Sequence, residues 1–74
     1  MGRLKPEPFR EVKRRLLAAG FAEVSQKGSH VKFVRRLGSI LDTAIVPRKQ
    51  EIPVGTLRSI LQQAHITLED WEGF

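Results

Sequence analysis

The sequence has no cysteine, one tryptophan, only two histidines and no long apolar run. Without cysteine, neither a disulfide framework nor a thiolate metal site can be built. Two histidines without a carboxylate cluster beside them make a poor metal site, so no metal and no cofactor are expected. No segment approaches the roughly 20 apolar residues that cross a bilayer. The N-terminal "MGRLKPEPFREV" lacks the apolar core of a signal peptide. A cytoplasmic chain that does not engage a membrane is the expectation. Acidic residues are also scarce, 8 Asp and Glu against 13 Lys and Arg, for a net charge of +5. The shortage is local. Residues 1–37 carry ten Lys and Arg against three Glu, a net of +7, while residues 38–74 carry three against five, a net of −2. A basic half on a small domain points to a polyanion, most simply nucleic acid. An ordinary solvated surface is the plain alternative.

What remains is 74 residues without an internal repeat, 41% of them hydrophobic. That predicts a single domain, residues 1–74, near the lower size limit for folding alone. The length does not suit the deep walls of a lidded enzyme, and a partner would help the fold.

"KPEPFREVKRRLLAAG" reads as a helix, with Pro6 or Pro8 in the first turn. Phe9, Val12, Leu16 and Leu17 recur as one apolar stripe, Arg10, Lys13 and Arg14 lie off it, and Gly20 is placed to end the helix. "FAEVSQK", "HVKFVRR" and "ILDTAIV" read as strands separated by the turns "KGS" and "LGS". Turns of about three residues imply hairpins and an antiparallel sheet. Pro47 stops the third strand. "RKQEI" is a loop. "PVGTLRSILQQA" is a second helix with Pro53 in its first turn and Val54, Leu57, Ile60, Leu61 and Ala64 on one face. In "TLED", Thr67 and Asp70 fit a capping box. A short last helix, about 68–72, lays Leu68, Trp71 and Phe74 against the body. The fold class is therefore α+β, in the order α-β-β-β-α with a short C-terminal helix. The three-stranded antiparallel sheet has helices on one face and the other face open. Double-stranded-RNA-binding domains share this order, although a shared order does not establish function.

Strand alternation puts Val31, Phe33 and Arg35 on one face and His30, Lys32 and Val34 on the other. Val31 and Phe33 are the natural core pair, so His30 and Lys32 fall on the open face unless a bulge at Gly28-Ser29 shifts the register. Histidine titrates near ~6.5, so both protonation states are available in a cell. RNA supplies its own nucleophile, the 2′-OH. An exposed histidine flanked by Lys27 and Lys32 can act on that hydroxyl as a general base, with cations steadying the phosphorane-like transition state. Such cleavage leaves a 2′,3′-cyclic phosphate and a 5′-hydroxyl. One general base contributes about 10²–10⁴-fold, so a one-histidine nuclease is slow. The bland reading of His30 is a hydrogen-bonding surface residue. His65, at a helix end, can bind the last carbonyls or favour the dipole when charged. Gly55 and Thr56 open the second helix, where free amides can hold a phosphate. Alternatively Gly55 only permits close packing on the sheet. Arg48 and Lys49, in the loop before that helix, can meet RNA or a protein partner, or be ordinary loop charges.

Taken together, "AAGF", "GSHVKF" and "AIVPRKQEIPVGTLRSILQQAHITLEDW" resemble the HicA toxins, the YcfA-like mRNA interferases. The shared elements are Gly28-Ser29-His30, Val46-Pro47, and the helix pattern of Pro53, Gly55, Thr56, Leu57, Ile60, Leu61 and Ala64. The resemblance covers about residues 10–72. It implies a fold like that of double-stranded-RNA-binding domains and metal-independent mRNA cleavage, with His30 as the catalytic residue. Lys27, Gly28, Ser29, Lys32, Arg48 and Lys49 are the expected RNA-binding residues. It also implies a HicB antitoxin that covers the site, and contact with DNA only indirectly, through that antitoxin. A non-catalytic RNA-binding or antitoxin-binding module is the alternative. The chain departs from the family pattern twice. His65 stands where glycine often follows the last helix, so a non-glycine residue carries the cap or the chain exits differently. "RRLGSILDTA" replaces the usual polar hairpin tip.

Overall fold

The structure is a computed structural model and describes residues 3–74. The chain runs α1 (Phe9–Ala18), β1 (Ala22–Lys27), β2 (His30–Leu37), β3 (Ile40–Pro47), α2 (Val54–Ala64) and α3 (Leu68–Gly73). The strands form one antiparallel sheet in the order β1-β2-β3, so the expected α+β order is present.

In α1, Val12 and Leu16 are buried and Phe9 packs against the core from its edge. Leu17, expected on the same stripe, is 45% exposed. One residue beyond Leu16 lies about 100° further round the helix, past the face that meets the sheet. Neither proline enters a first turn. Pro8 and Pro53 are N-cap residues in extended conformation, with ψ of 157° at both. The Pro8 carbonyl accepts from the Glu11 and Val12 amides. Just upstream, Glu7 and Ile52 exchange backbone hydrogen bonds of 3.2 and 2.7 Å in an isolated bridge, and Pro6 lies before it, outside the helix. Gly20 ends α1 as expected, with φ of +97° after the Ala19 cap.

Each hairpin turns on two residues, Gly28-Ser29 and Gly38-Ser39, one fewer than expected. Gly28 has φ +61° and Gly38 +62°, whereas neither serine has a positive φ. That is the type II′ pattern, whose twist matches the flanking strands. The sheet does contain a bulge, but in β1. Pairing passes from Glu23↔Phe33 to Ser25↔Lys32 and leaves Val24 over. The Gly-Ser turn itself is regular, with Lys27 directly opposite His30.

Inward faces of β2 and β3 supply Val31, Phe33, Ala44 and Val46, all fully buried with Val12, Leu16, Leu57 and Ile60. The tail helix α3 is capped by Thr67, whose Oγ1 accepts from the Asp70 amide at 3.1 Å. It buries Trp71, which is 1% exposed. Arg15 holds that tail. Its Nη1 donates to the Trp71 carbonyl at 2.6 Å, and its Nε lies 3.1 Å from Glu11 and 3.5 Å from the buried Glu7. His65 takes the left-handed position after α2 (φ 56°, ψ 44°), so a non-glycine residue carries that cap. Among the described residues no helix is long and apolar enough to cross a membrane.

Candidate functional site

His30 opens β2, the central strand, and is exposed. Across the sheet it faces Lys27 on β1 and Pro47 on β3. The next row on the same face is Ser25, Lys32 and Ile45. This face is open because alternation sends Val31 and Phe33 inward. Ser25, Lys27, His30, Lys32 and Ile45 line a cleft of about 370 Å³. It has two ammonium groups, one imidazole and an apolar floor.

A second cleft, of about 430 Å³, lies beyond the edge of β3 and runs to α2. Ser29, Lys49, Thr56, Ser59 and Gln63 supply its polar groups. His30 and Ile45 line both clefts, so the imidazole stands where they meet. Thr56, Ser59 and Gln63 recur at i, i+3 and i+7 on α2. That helical stripe lies beside the apolar one and was legible, but only Thr56, for its backbone amide, was singled out from the sequence, and Ser59 and Gln63 were not. Gln63 also satisfies the edge strand, because its Oε1 accepts from the Ile45 amide at 3.1 Å.

Four of the six expected RNA-binding residues line the clefts. Lys27 and Lys32 line the first cleft, and Ser29 and Lys49 the second. Gly28 makes the turn, and a Cβ there would meet nothing within 4 Å, so its role is the positive φ. Arg48 stands outside both clefts and braces the turn. Its amide donates to the Ser29 carbonyl at 2.6 Å, and its Nη1 donates to Gln26 Oε1 at 3.0 Å. Gln26 in turn donates to the Gly28 carbonyl at 3.0 Å. The Arg48 guanidinium also lies 5.1 Å from the Phe9 ring centroid. Lys49 is held through its backbone, which accepts from the Phe9 amide at 2.9 Å and donates to the Pro47 carbonyl at 3.0 Å. Close packing does not explain Gly55, since a Cβ there would meet nothing within 4 Å. His65 is tied to Asp42 on β3 rather than to the clefts. Among the described residues no three His, Cys, Asp or Glu side chains gather where they could hold a metal ion.

An exposed imidazole can take a proton and return it. Ammonium groups around it can steady a doubly charged phosphorus centre. This arrangement has the parts for general acid–base chemistry on a phosphodiester.

No curated protein matches the chain. A family model described as "HicA toxin of bacterial toxin-antitoxin" matches residues 9–66. The match begins at the first residue of α1, passes through the Gly28-Ser29-His30 turn and ends just after α2. With most of its length matched in this way, the chain belongs to the HicA toxin family of bacterial toxin–antitoxin systems.

Proposed function

We propose that this toxin is an endoribonuclease that cleaves messenger RNA in the cytoplasm, using His30 as general base and then general acid. The chain acts as one unit, folded in the manner of double-stranded-RNA-binding domains. The observation that carries this reading is the exposed imidazole at the junction of two clefts, directly opposite Lys27 and on the same face as Lys32. Neutral His30 removes the 2′-OH proton, and the 2′ oxygen attacks the adjacent phosphorus. The bond from phosphorus to the 5′ oxygen breaks, and that oxygen leaves with a proton. The ends are a 2′,3′-cyclic phosphate and a 5′-hydroxyl. Lys27, Lys32 and Lys49 attract the backbone and stabilise the charge that builds on the phosphoryl oxygens. The nucleophile belongs to the substrate, so no cofactor enters this scheme.

A HicB-type antitoxin is the proposed inhibitor, seated on the open face. Ile45 and Leu41, 37% and 53% exposed, give that face apolar anchors opposite Lys32 and Arg36. Any contact with operator DNA runs through the antitoxin. The same exposed residues favour the second reading, a module that binds the antitoxin without catalysis.

Purified wild type and His30→Ala are compared on defined RNA, with and without chelator, with end-group analysis. Wild type is expected to cut and leave cyclic phosphate ends regardless of chelator. His30→Ala is expected to bind RNA without cutting it. Equal cutting by both proteins eliminates His30 as the catalyst, and loss of cutting on chelation eliminates the metal-free scheme.

A further inference from the structure

We propose that Gln63 reads a base beside the scissile phosphate, favouring a base that presents a keto oxygen, guanine or uracil, over adenine. This rests on the ribonuclease reading above and adds a specificity residue to it.

The two clefts meet at His30, so a strand cut there runs from one into the other. The first cleft is lined by Lys27 and Lys32 around a single hydroxyl, Ser25. Its chemistry suits backbone phosphate, which every sequence offers. The second cleft is different. Besides Lys49 it presents three hydroxyls and one amide, from Ser29, Thr56, Ser59 and Gln63, beside the apolar Ile45. Polar groups converging beside an apolar wall suit a base edge, and single-stranded RNA is read at such edges.

Among these groups the Gln63 amide has a fixed orientation. The Ile45 amide 3.1 Å away is a donor, so the atom facing it must be the carbonyl oxygen. A reversed amide would set two donors against each other. The Nε2 group is therefore the end left for a ligand, and it only donates. A keto oxygen accepts from it, as O6 of guanine and O4 of uracil do. The N6 amino group of adenine is a donor and opposes it. The usual two-point reading of adenine by glutamine also needs the carbonyl oxygen, which Ile45 already engages. Ser59 does not set the preference. Its hydroxyl donates to the Gly55 carbonyl at 3.3 Å, and a hydroxyl can serve either kind of edge.

Gln63→Glu separates this role from the structural one. It keeps an oxygen for the Ile45 amide and replaces the donor with a second acceptor. Wild type and Gln63→Glu are incubated with a randomised RNA pool, and the bases flanking each cut are counted. Wild type is expected to favour keto bases at one flanking position by about fivefold, the worth of one hydrogen bond. In Gln63→Glu that preference is expected to vanish or invert toward adenine and cytosine. The added negative charge slows cutting of all sequences alike, so a change in the ratio reports the lost donor and not the charge. Cutting by wild type with the same profile in Gln63→Glu overturns the proposal and leaves the ribonuclease reading standing. No cutting by wild type overturns both. A second measurement needs no variant at Gln63. The Gln63 side-chain amide resonance of ¹⁵N-labelled protein is followed during titration with guanosine or adenosine monophosphate. A larger shift with the guanosine compound is expected, and equal or absent shifts overturn the proposal.

Discussion

Nδ1 of His65 lies 2.7 Å from Oδ1 of Asp42, while the other oxygen of the same carboxylate receives Nη2 of Arg35 at 3.0 Å. Asp42 is 3% exposed, whereas the His65 side chain is 73% exposed. Arg35 also donates to the Ala19 and Ala64 carbonyls, at 3.1 and 3.3 Å. One carboxylate thus ties β3 to the ends of both long helices. It also accounts for a histidine in a left-handed conformation, which costs an ordinary residue about 1–2 kcal/mol. The bond to Asp42 offsets that cost. We expect His65→Ala to be less stable than His65→Gly by about 1 kcal/mol, since alanine keeps the strain without the bond. Asp42→Ala should be worse than either, because it strands Arg35 beneath the surface. A fall in Tm of more than about 10 °C is expected, measured by thermal denaturation.

Acid should loosen this protein in a defined window. The Arg35 hydrogen bond, then that of His65, holds the Asp42 carboxyl below the usual carboxylate range. Arg14 lowers Glu11 from 4.5 to about 2. Both groups bind protons more readily unfolded than folded, so their contribution is fully present above the unfolded values. The Glu11 part is lost as pH falls from about 4.5 toward 2, and the Asp42 part is likewise lost in acid. Tm should be level above that window and drop within it. Glu11→Gln should shrink the drop, and an unchanged profile would contradict the assignment.

Lys27 and Lys32 should reveal themselves through salt. Each phosphate contact contributes about 0.7 to the slope of log affinity against log salt for single strands. Lys27→Ala and Lys32→Ala should each lower that slope by about this amount and weaken binding for every sequence alike. Binding measured in His30→Ala protein keeps the RNA intact. Arg48→Ala should behave differently, because Arg48 braces the turn. Its loss should lower Tm more than it lowers the salt slope.

At the turn, Gly28→Ala places a Cβ in open space but at φ +61°. A cost of about 1 kcal/mol in stability is expected, with slower cleavage if His30 shifts with the turn. Cleavage at the wild-type rate would show that the turn tolerates the strain without moving His30.

Much of this was legible in the sequence because alternation and helical periodicity are local signals. "HVKFVRR" gave the face of His30 directly, since Val31 and Phe33 had to turn inward. The strands and both long helices followed from the same rules. Leu17 misled because a stripe of adjacent leucines does not say where the buried arc ends. Pro8 and Pro53 misled by one position, since proline suits both the cap and the first turn. The bulge at Val24 has no sequence mark. Neither the Arg35–Asp42–His65 cluster nor the bond from Gln63 to Ile45 could be read, because they join residues distant in sequence. The second cleft arises only when α2 settles beside the edge of β3.

Arg15 has a practical consequence for trimming the chain. It grips Trp71 and Glu7, and both lie outside the matched stretch of residues 9–66. A shortened version ending at residue 66 would lose a side chain that is 1% exposed. Truncating a buried tryptophan typically costs about 3–5 kcal/mol, a large share of what so small a protein has in reserve. Starting at residue 9 would also remove the segment paired with Ile52, just beyond the loop that holds Lys49. The residues sufficient to recognise the family are thus fewer than those needed to keep its site in shape.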